Sequence, residues 1–198
     1  MKKLVFVLLM LLSSCRMSSP EASVIKLTND VGNSGGTGFE VVAPSGKIYT
    51  LTNRHICMSN DVYAEVGDRH IPLHIIEISA DTDLCLLEPL VETPALKVSN
   101  IYPVNGDHID VYGYGMLMPL THTSGEWVGK TPVFLAFIFN LRNVPEYTTV
   151  SILPGNSGSP VLDESGDVVG VVFATGEAIN FRALIISLDD VKNFLKPY

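Results

Sequence analysis

The sequence predicts an all-β protein that ends in one short helix, and three observations lead to this prediction. The 198 residues are 46% hydrophobic and only 17% charged, which is enough apolar chain for a sizeable core. Short apolar runs rich in Val, Ile, Phe and Tyr recur from Val24 onward, and turn residues such as Pro-Ser-Gly at 44–46 separate them. Many short strands with regular turns are typical of β-sandwiches and β-barrels.

The predicted strands are the apolar runs at 38–43, 48–52, 70–78, 84–87, 109–112, 133–139, 161–162, 168–173 and 183–186. The stretch 89–103 carries three prolines and no strand pattern, so we expect the chain to cross there between two halves. A closing helix is predicted after Ser187, which can cap it, and Pro197 ends it. Its apolar face at helical spacing is formed by Leu188, Val191, Phe194 and Leu195.

The first residues are typical of an export signal. Lys2 and Lys3 precede an apolar run at 4–12 that is too short to span a membrane, and small serines then lead to Cys15. This arrangement resembles a bacterial lipobox, in which the cysteine is lipidated and becomes the mature N-terminus. We expect a signal peptide at 1–14, a lipidated tether at 15–23 and a membrane-anchored protein facing the periplasm or the cell exterior. Ordinary signal cleavage and soluble secretion is the alternative.

Charge and cysteine content limit the possible partners. The net charge is −8, and without a basic footprint we expect no nucleic-acid partner. No metal or cofactor site is predicted. Cys57 and Cys85 are the cysteines left after Cys15, and in an exported protein they could form a disulfide. Because both have apolar surroundings, we favour buried free thiols.

A serine within a glycine-rich loop is the strongest local signal for chemistry. The stretch 154–160 reads Pro-Gly-Asn-Ser-Gly-Ser-Pro and leads into an apolar strand. Glycine permits backbone conformations that other residues resist. Ser157 is therefore a candidate nucleophile, and the N–H groups of Gly155 and Ser157 are candidate oxyanion-hole donors. A plain β-turn between two strands is the alternative.

His55 and Asp83 are the candidate partners of that serine. A serine hydroxyl needs a base to take its proton, and histidine suits this task near neutral pH. His55 follows the run at 48–52, and Asp83 directly precedes the run at 84–87, where a buried carboxylate could orient the imidazole. Asp81 is the second choice for this carboxylate. The histidines without such a context are His70, His74, His108 and His122.

In the order His, Asp, Ser, these segments resemble the trypsin-like (chymotrypsin-fold) serine peptidases, and within them the bacterial HtrA/Deg group. The matching segments are 36–39, 50–55, 83–87, 113–115, 155–158 and 184–195. The resemblance implies two six-stranded β-barrels, at about 24–95 and 96–198, with the active site in the cleft between them and a short C-terminal helix. It also implies a serine endopeptidase that cleaves a protein or peptide through an acyl-enzyme intermediate.

The resemblance further implies a substrate pocket with Ser151 at its base. The wall that pairs with substrate backbone would be formed by Phe173, Ala174 and Thr175. No acid is evident at the base, so we expect a small or medium apolar substrate side chain rather than Lys or Arg.

Some positions depart from the family pattern. Ser159 replaces a frequent second glycine. Asn156 stands where digestive relatives use an aspartate to pair with the amine freed by activation, so no zymogen of that type is expected. No PDZ module is expected after the closing helix.

Two other functions stay open at this stage. A catalytically inactive trypsin-like domain could act as a peptide- or partner-binding module. A cysteine-based hydrolase could use Cys57 or Cys85, although neither lies in a glycine-rich loop.

Overall fold

The structure is a computed structural model that describes residues 19–29, 32, 34–58, 61–90, 93–130, 146–175 and 182–198. The export signal, Cys15 and the predicted strand at 133–139 lie outside these residues. Among the residues described, no helix is both long enough and apolar enough to cross a membrane.

The N-terminal half is a seven-stranded antiparallel sheet with the order β5-β4-β1-β2-β3-β7-β6. Its strands are β1 (Val24–Thr28), β2 (Gly35–Val42), β3 (Ile48–Thr52), β4 (Val62–Val66), β5 (Arg69–Leu73), β6 (Ile75–Ile78) and β7 (Cys85–Leu87). A single helical turn, α1 (Arg54–Cys57), follows β3.

This sheet curls, because its two edges come from adjacent stretches of chain. The sequence predicted one strand over 70–78, whereas the structure divides it at His74 into β5 and β6, which lie at opposite edges. A single bend in the chain therefore brings the two edges near each other. The sheet is a curled half-barrel, and the closed six-stranded barrel expected for this half is not confirmed.

The C-terminal half is a closed barrel of six strands in the order β10-β13-β12-β11-β8-β9. Its strands are β8 (His108–Gly113), β9 (Thr121–Lys130), β10 (Glu146–Ser151), β11 (Pro160–Leu162), β12 (Val168–Ala174) and β13 (Arg182–Ser187). Helix α2 (Leu188–Leu195) follows. As predicted, Ser187 caps this helix by accepting a hydrogen bond from the Asp190 N–H.

The crossing between the halves is short and is paired to both of them. Leu96 forms a bridge with Val41 of β2, and Val98 forms one with Val168 of β12. The largest buried cluster contains residues from both halves and from α2, including Phe39, Leu51, Leu162, Leu184 and Leu195. The two halves therefore share a core, which holds the residues at their junction in fixed positions.

Four strands, β1, β4, β9 and β10, correspond to none of the predicted apolar runs, and β9 and β10 are the most polar of them. β9 contains two glycines and several polar residues, and Trp127 is its only buried residue. β10 alternates buried and exposed residues, but three of its six residues are Thr or Ser. Barrel closure depends on both strands, because β9 and β10 pair with each other.

The favoured interpretation of the cysteines is wrong. Cys57 at the end of α1 and Cys85 at the start of β7 form a disulfide, and both residues are fully buried. The apolar surroundings that suggested free thiols are those of a buried cross-link. The bond ties the turn that carries His55 to the strand that follows Asp83.

Candidate active site

His55 and Asp83 are joined by two hydrogen bonds. The His55 backbone N–H donates to Asp83 Oδ1 at 3.0 Å, and the ring Nδ1 lies 2.6 Å from Asp83 Oδ2. A carboxylate only accepts, so Nδ1 carries the hydrogen and Nε2 is left as an acceptor. The Asp83 side chain is 10% exposed, whereas the His55 side chain is 43% exposed. The imidazole therefore has its acid partner behind it and an accessible edge in front.

The chain that precedes His55 also holds Asp83 by its backbone. The Asp83 carbonyl accepts from the Asn53 side-chain amide at 2.9 Å and from the Arg54 N–H at 3.1 Å. Asp81, the second choice, is exposed, and its N–H donates to Ser79 Oγ. Of these two carboxylates, the structure places that of Asp83 on the imidazole.

Ser157 lies in the loop between β10 and β11, and glycines give this loop its shape. Gly155 has φ +97° and Gly158 has φ +85°, a left-handed region that side chains resist. A Cβ on Gly158 would lie 1.9 Å from the Thr37 carbonyl oxygen and 2.5 Å from Thr52 Oγ1. The loop therefore packs directly against the N-terminal sheet.

Gly36 lies between α1, the histidine turn that carries His55, and the loop between β10 and β11, the serine loop that carries Ser157. A Cβ at this position would lie 2.8 Å from Ile56 Cδ1 and 2.8 Å from the Ser157 carbonyl oxygen. Because Ile56 follows His55 in α1, the two candidate groups approach the same glycine from opposite halves of the molecule.

Thr37 forms hydrogen bonds to the serine loop through both its backbone and its side chain. Its N–H donates to the Ser157 carbonyl at 2.8 Å, and its hydroxyl donates to the Gly155 carbonyl at 2.9 Å. The same hydroxyl accepts from the Tyr114 N–H at 3.0 Å. The sequence marked Thr37 only as part of a matching segment, and its hydroxyl within a glycine-rich strand was the available signal for a specific role.

Two N–H groups of the loop are left without an acceptor among the described residues. The N–H groups of Asn156, Gly158 and Ser159 donate to backbone carbonyls, whereas those of Gly155 and Ser157 have no such bond. The Pro154 carbonyl accepts from the Met116 N–H at 2.5 Å. Because the C=O and N–H of a trans peptide point in opposite directions, the Gly155 N–H points away from Met116.

The segment that holds this peptide is itself strained. Met116 and Leu117 have φ near +54° and +55°, a conformation that costs on the order of 1–3 kcal/mol for a residue with a side chain and that concentrates at functional sites. A Cβ on Gly155 would lie 2.6 Å from the Tyr114 carbonyl oxygen and 3.0 Å from the Met116 nitrogen, so only glycine fits beside this segment. The loop conformation is therefore supported from both halves.

The Ser157 hydroxyl donates to the Phe173 carbonyl at 3.3 Å. Among the described residues, it makes no hydrogen bond with His55. In serine hydrolases such a bond commonly tightens only when substrate is bound. The contact with Phe173 places the end of β12 beside Ser157, the candidate nucleophile.

The other predicted substrate residues lie along the same sheet. Ala174 pairs with Leu184 of β13, and the Thr175 hydroxyl is buried without a hydrogen-bond partner among the described residues. Ser151 is exposed at the end of β10 and pairs with Arg182.

The departures from the family pattern have structural counterparts. Ser159 is fully buried, and its hydroxyl occupies the space that a Cβ on Gly113 would fill. Asn156 is 4% exposed, and its Oδ1 has no hydrogen-bond partner among the described residues. A serine in place of the second glycine is thus accommodated by a glycine on β8.

Comparison with known proteins identifies the family of the chain. The family model for the trypsin-like peptidase domain matches residues 36–171. Protein y4bJ of Sinorhizobium fredii, which is uncharacterised, is 28% identical over 167 residues, covering 82% of this chain and 25% of that protein. A probable periplasmic serine endoprotease, DegP-like, of Chlamydia pneumoniae is 28% identical over 151 residues, covering 69% of this chain and 28% of that protein. The chain spans about a quarter of these relatives.

Solved structures share the fold. The Rv3671c protease of Mycobacterium tuberculosis, in an inactive form, superposes with a TM-score of 0.73 at 23% identity, covering 90% of this chain and 87% of that one. The HtrA-type protease AlgW with a tripeptide gives a TM-score of 0.72 at 19% identity, covering 89% of this chain and 60% of that one. Together with the match over residues 36–171, these findings show that the chain belongs to the trypsin-like peptidase family, with HtrA- and DegP-like relatives.

Proposed function

We propose that the protein is a serine endopeptidase with Ser157 as nucleophile, His55 as general base and Asp83 as the carboxylate that orients the base. The observation that carries the proposal is the double hydrogen bond between His55 and Asp83, formed where the serine loop meets the histidine turn. It fixes the tautomer that leaves Nε2 free to accept a proton.

The reaction follows from these positions. Ser157 Oγ attacks the substrate carbonyl as His55 Nε2 takes its proton, and Asp83 stabilises the imidazolium. The carbonyl oxygen becomes an oxyanion that the N–H groups of Gly155 and Ser157 stabilise. His55 then gives the proton to the leaving amine, which breaks the peptide bond and leaves an acyl-enzyme. Water, deprotonated by His55, releases the acid and regenerates Ser157.

The proposal is tested by peptide cleavage with Ser157→Ala. The variant should lose turnover by about 10⁴-fold or more while it stays folded. Ser159→Ala is the matched control, because Ser159 is a buried serine in the same loop and has no proposed catalytic role. Equal cleavage by wild type and a folded Ser157→Ala variant would refute the nucleophile. A wild type that binds peptides without cleaving them would favour the inactive binding module.

A thiol nucleophile has no support from the structure. Cys57 and Cys85 are bonded to each other and fully buried, so neither sulfur is available as a thiolate.

We further propose that the enzyme is exported and anchored through a lipid on Cys15. The charged, apolar and small residues of 1–15 support this proposal, and the DegP-like relative is described as periplasmic. Several acyl chains on one cysteine would hold the protein firmly at a membrane. Intact-mass analysis of the mature N-terminal peptide tests it: a lipidated Cys15 is expected, and an unmodified N-terminus at any other residue would leave plain secretion.

A further inference from the structure

Arg182, the first residue of β13, is a half-buried cation beside the proposed substrate wall. It pairs across the sheet with Ser151, on the chain segment that leads to Ser157. Two other cations have partners: Lys26 pairs with Glu65, and Arg54 donates to the Ser79 carbonyl. The Arg182 side chain has no hydrogen bond or ion pair with any residue that the structure describes.

The alternation of side chains places Arg182 outside the barrel. Ala183 and Ile185 belong to the cluster that fills the barrel interior, and so does Val150 of β10. Because neighbouring residues of a strand point to opposite faces, Arg182 and Ser151 both lie on the outer face. Directly opposed residues of antiparallel strands have Cβ atoms about 5 Å apart, so the side chains of Arg182 and Ser151 leave the sheet next to each other.

The same outer face leads to the nucleophile. Ser157 Oγ contacts the Phe173 carbonyl, the next residue, Ala174, pairs with Leu184, and Arg182 is two positions from Leu184 along β13. The path from Ala174 across to Leu184 and then along β13 to Arg182 comprises one strand spacing and one two-residue step, roughly 12 Å in total. An extended arginine on one side and an acidic side chain on the other together span such a distance.

We propose that Arg182 is a specificity residue that binds the carboxylate of a glutamate or aspartate whose carbonyl Ser157 attacks, with the Ser151 hydroxyl as a second donor. This inference rests on the proposed peptidase function and replaces the apolar preference expected from the sequence. Guanidinium and carboxylate groups match in geometry and form two parallel hydrogen bonds. A lysine or arginine at the same substrate position is repelled, because the site already holds the positive charge of Arg182, which no acid among the described residues neutralises.

The test uses quenched peptides that differ only in the residue before the cleaved bond: Glu, Gln, Asp, Asn, Val or Lys. Wild type should cleave the Glu or Asp peptide with a kcat/KM about 10–100-fold above that for the matching amide, as charge-assisted hydrogen bonds predict. Added salt should reduce this ratio. In Arg182→Gln the acid-to-amide ratio should fall towards one, and in Arg182→Glu the Lys peptide should become the better substrate. Arg69→Gln, on exposed β5, is the control for loss of one positive charge and should keep the wild-type ratio.

The outcomes separate this inference from the proposed function. A wild type that cleaves no peptide in the series, and no casein, contradicts the peptidase function itself. A wild type that cleaves peptides but treats acid and amide alike overturns the role of Arg182, and this comparison needs no variant. If Arg182→Gln slows all peptides equally, the arginine is structural and the inference is also overturned.

Discussion

The two halves of the molecule hold their parts of the site in different ways. The N-terminal sheet holds His55 and Asp83 through side-chain hydrogen bonds, with the Cys57–Cys85 disulfide nearby. The C-terminal barrel holds Ser157 through backbone shape, with glycines in left-handed conformations and carbonyls anchored from outside the loop. With Ser157 itself left in place, removing a side-chain hydrogen-bonding group should therefore be most harmful in the first half, and adding a side-chain atom should be most harmful in the second.

Among changes that leave Ser157 in place, the largest effect is expected from Asp83→Asn in the first half. The amide keeps the shape but can stabilise the wrong histidine tautomer, so kcat should fall by about 10⁴-fold. Asp81→Asn, on an exposed carboxylate two positions earlier, is the matched control and should change kcat far less. Steady-state kinetics of the two variants decide the point, and the reverse ranking would show that Asp81 orients the base.

Gly158→Ala tests the second half by adding one carbon. The left-handed φ alone should cost about 1–2 kcal/mol, and the approach to the Thr37 carbonyl should bring the total destabilisation to several kcal/mol, with loss of activity. Gly46→Ala is the matched control, since Gly46 has φ +83° but nothing within 4 Å of its Cβ position. Urea unfolding should separate the two variants, and equal losses would mean that the close approach is unimportant.

Thr37→Val tests the connection between the halves. The change keeps the shape but removes the hydroxyl that holds the Gly155 carbonyl, so kcat should fall by about 10–100-fold, less than the loss of an oxyanion donor itself, while KM changes little. Thr37→Ser should keep most of the activity, because it retains the hydroxyl. Thr28→Val is the control, since Thr28 is also buried and its hydroxyl has no hydrogen-bond partner among the described residues. A drop in activity shared by Thr37→Ser would point to packing instead.

The smallest effect is a dependence of stability on pH through Glu40 in the N-terminal sheet. Its side chain is fully buried and accepts from Thr50 and from the Leu90 N–H. Loss of hydration raises the pKa of Glu40 from 4.5 to about 7. A raised folded-state pKa contributes stability that is fully present below the unfolded pKa and is lost as pH rises through 7.

Unfolding at a series of pH values checks this prediction. Between pH 4.5 and 8, wild type should lose on the order of 2 kcal/mol relative to Glu40→Gln, which stays neutral throughout. Glu88→Gln, on an exposed residue, should follow wild type. Parallel curves for wild type and Glu40→Gln would show that Glu40 titrates normally.

The sequence predicted the elements whose pattern is local. The run at 48–52 coincides with β3, and the cap at Ser187 and the helix after it are present. Features that depend on distant pairing were missed or misjudged. β9 is polar, and it is a strand because it pairs with β8 and β10. No local pattern could show that Cys57 forms a disulfide with Cys85.

In the candidate site, too, residues with a local sequence signal were predicted and residues whose role depends on distant pairing were not. The candidate chemical groups were visible as residue types at strand ends. Thr37 and Arg182 could not be given roles, because what they do depends on the loop or strand that lies opposite them. Cross-strand register, which only the fold supplies, determines both positions.

The most direct test of the account is labelling with a fluorophosphonate probe, which reacts only with an activated serine. Wild type should gain one adduct, and peptide mapping should place it on Ser157. The rate should fall sharply in His55→Ala and in Asp83→Asn, while Asp81→Asn should label like wild type. An unlabelled, folded wild type, or an adduct on any other serine, would contradict the claim that the two halves assemble one catalytic site around Ser157.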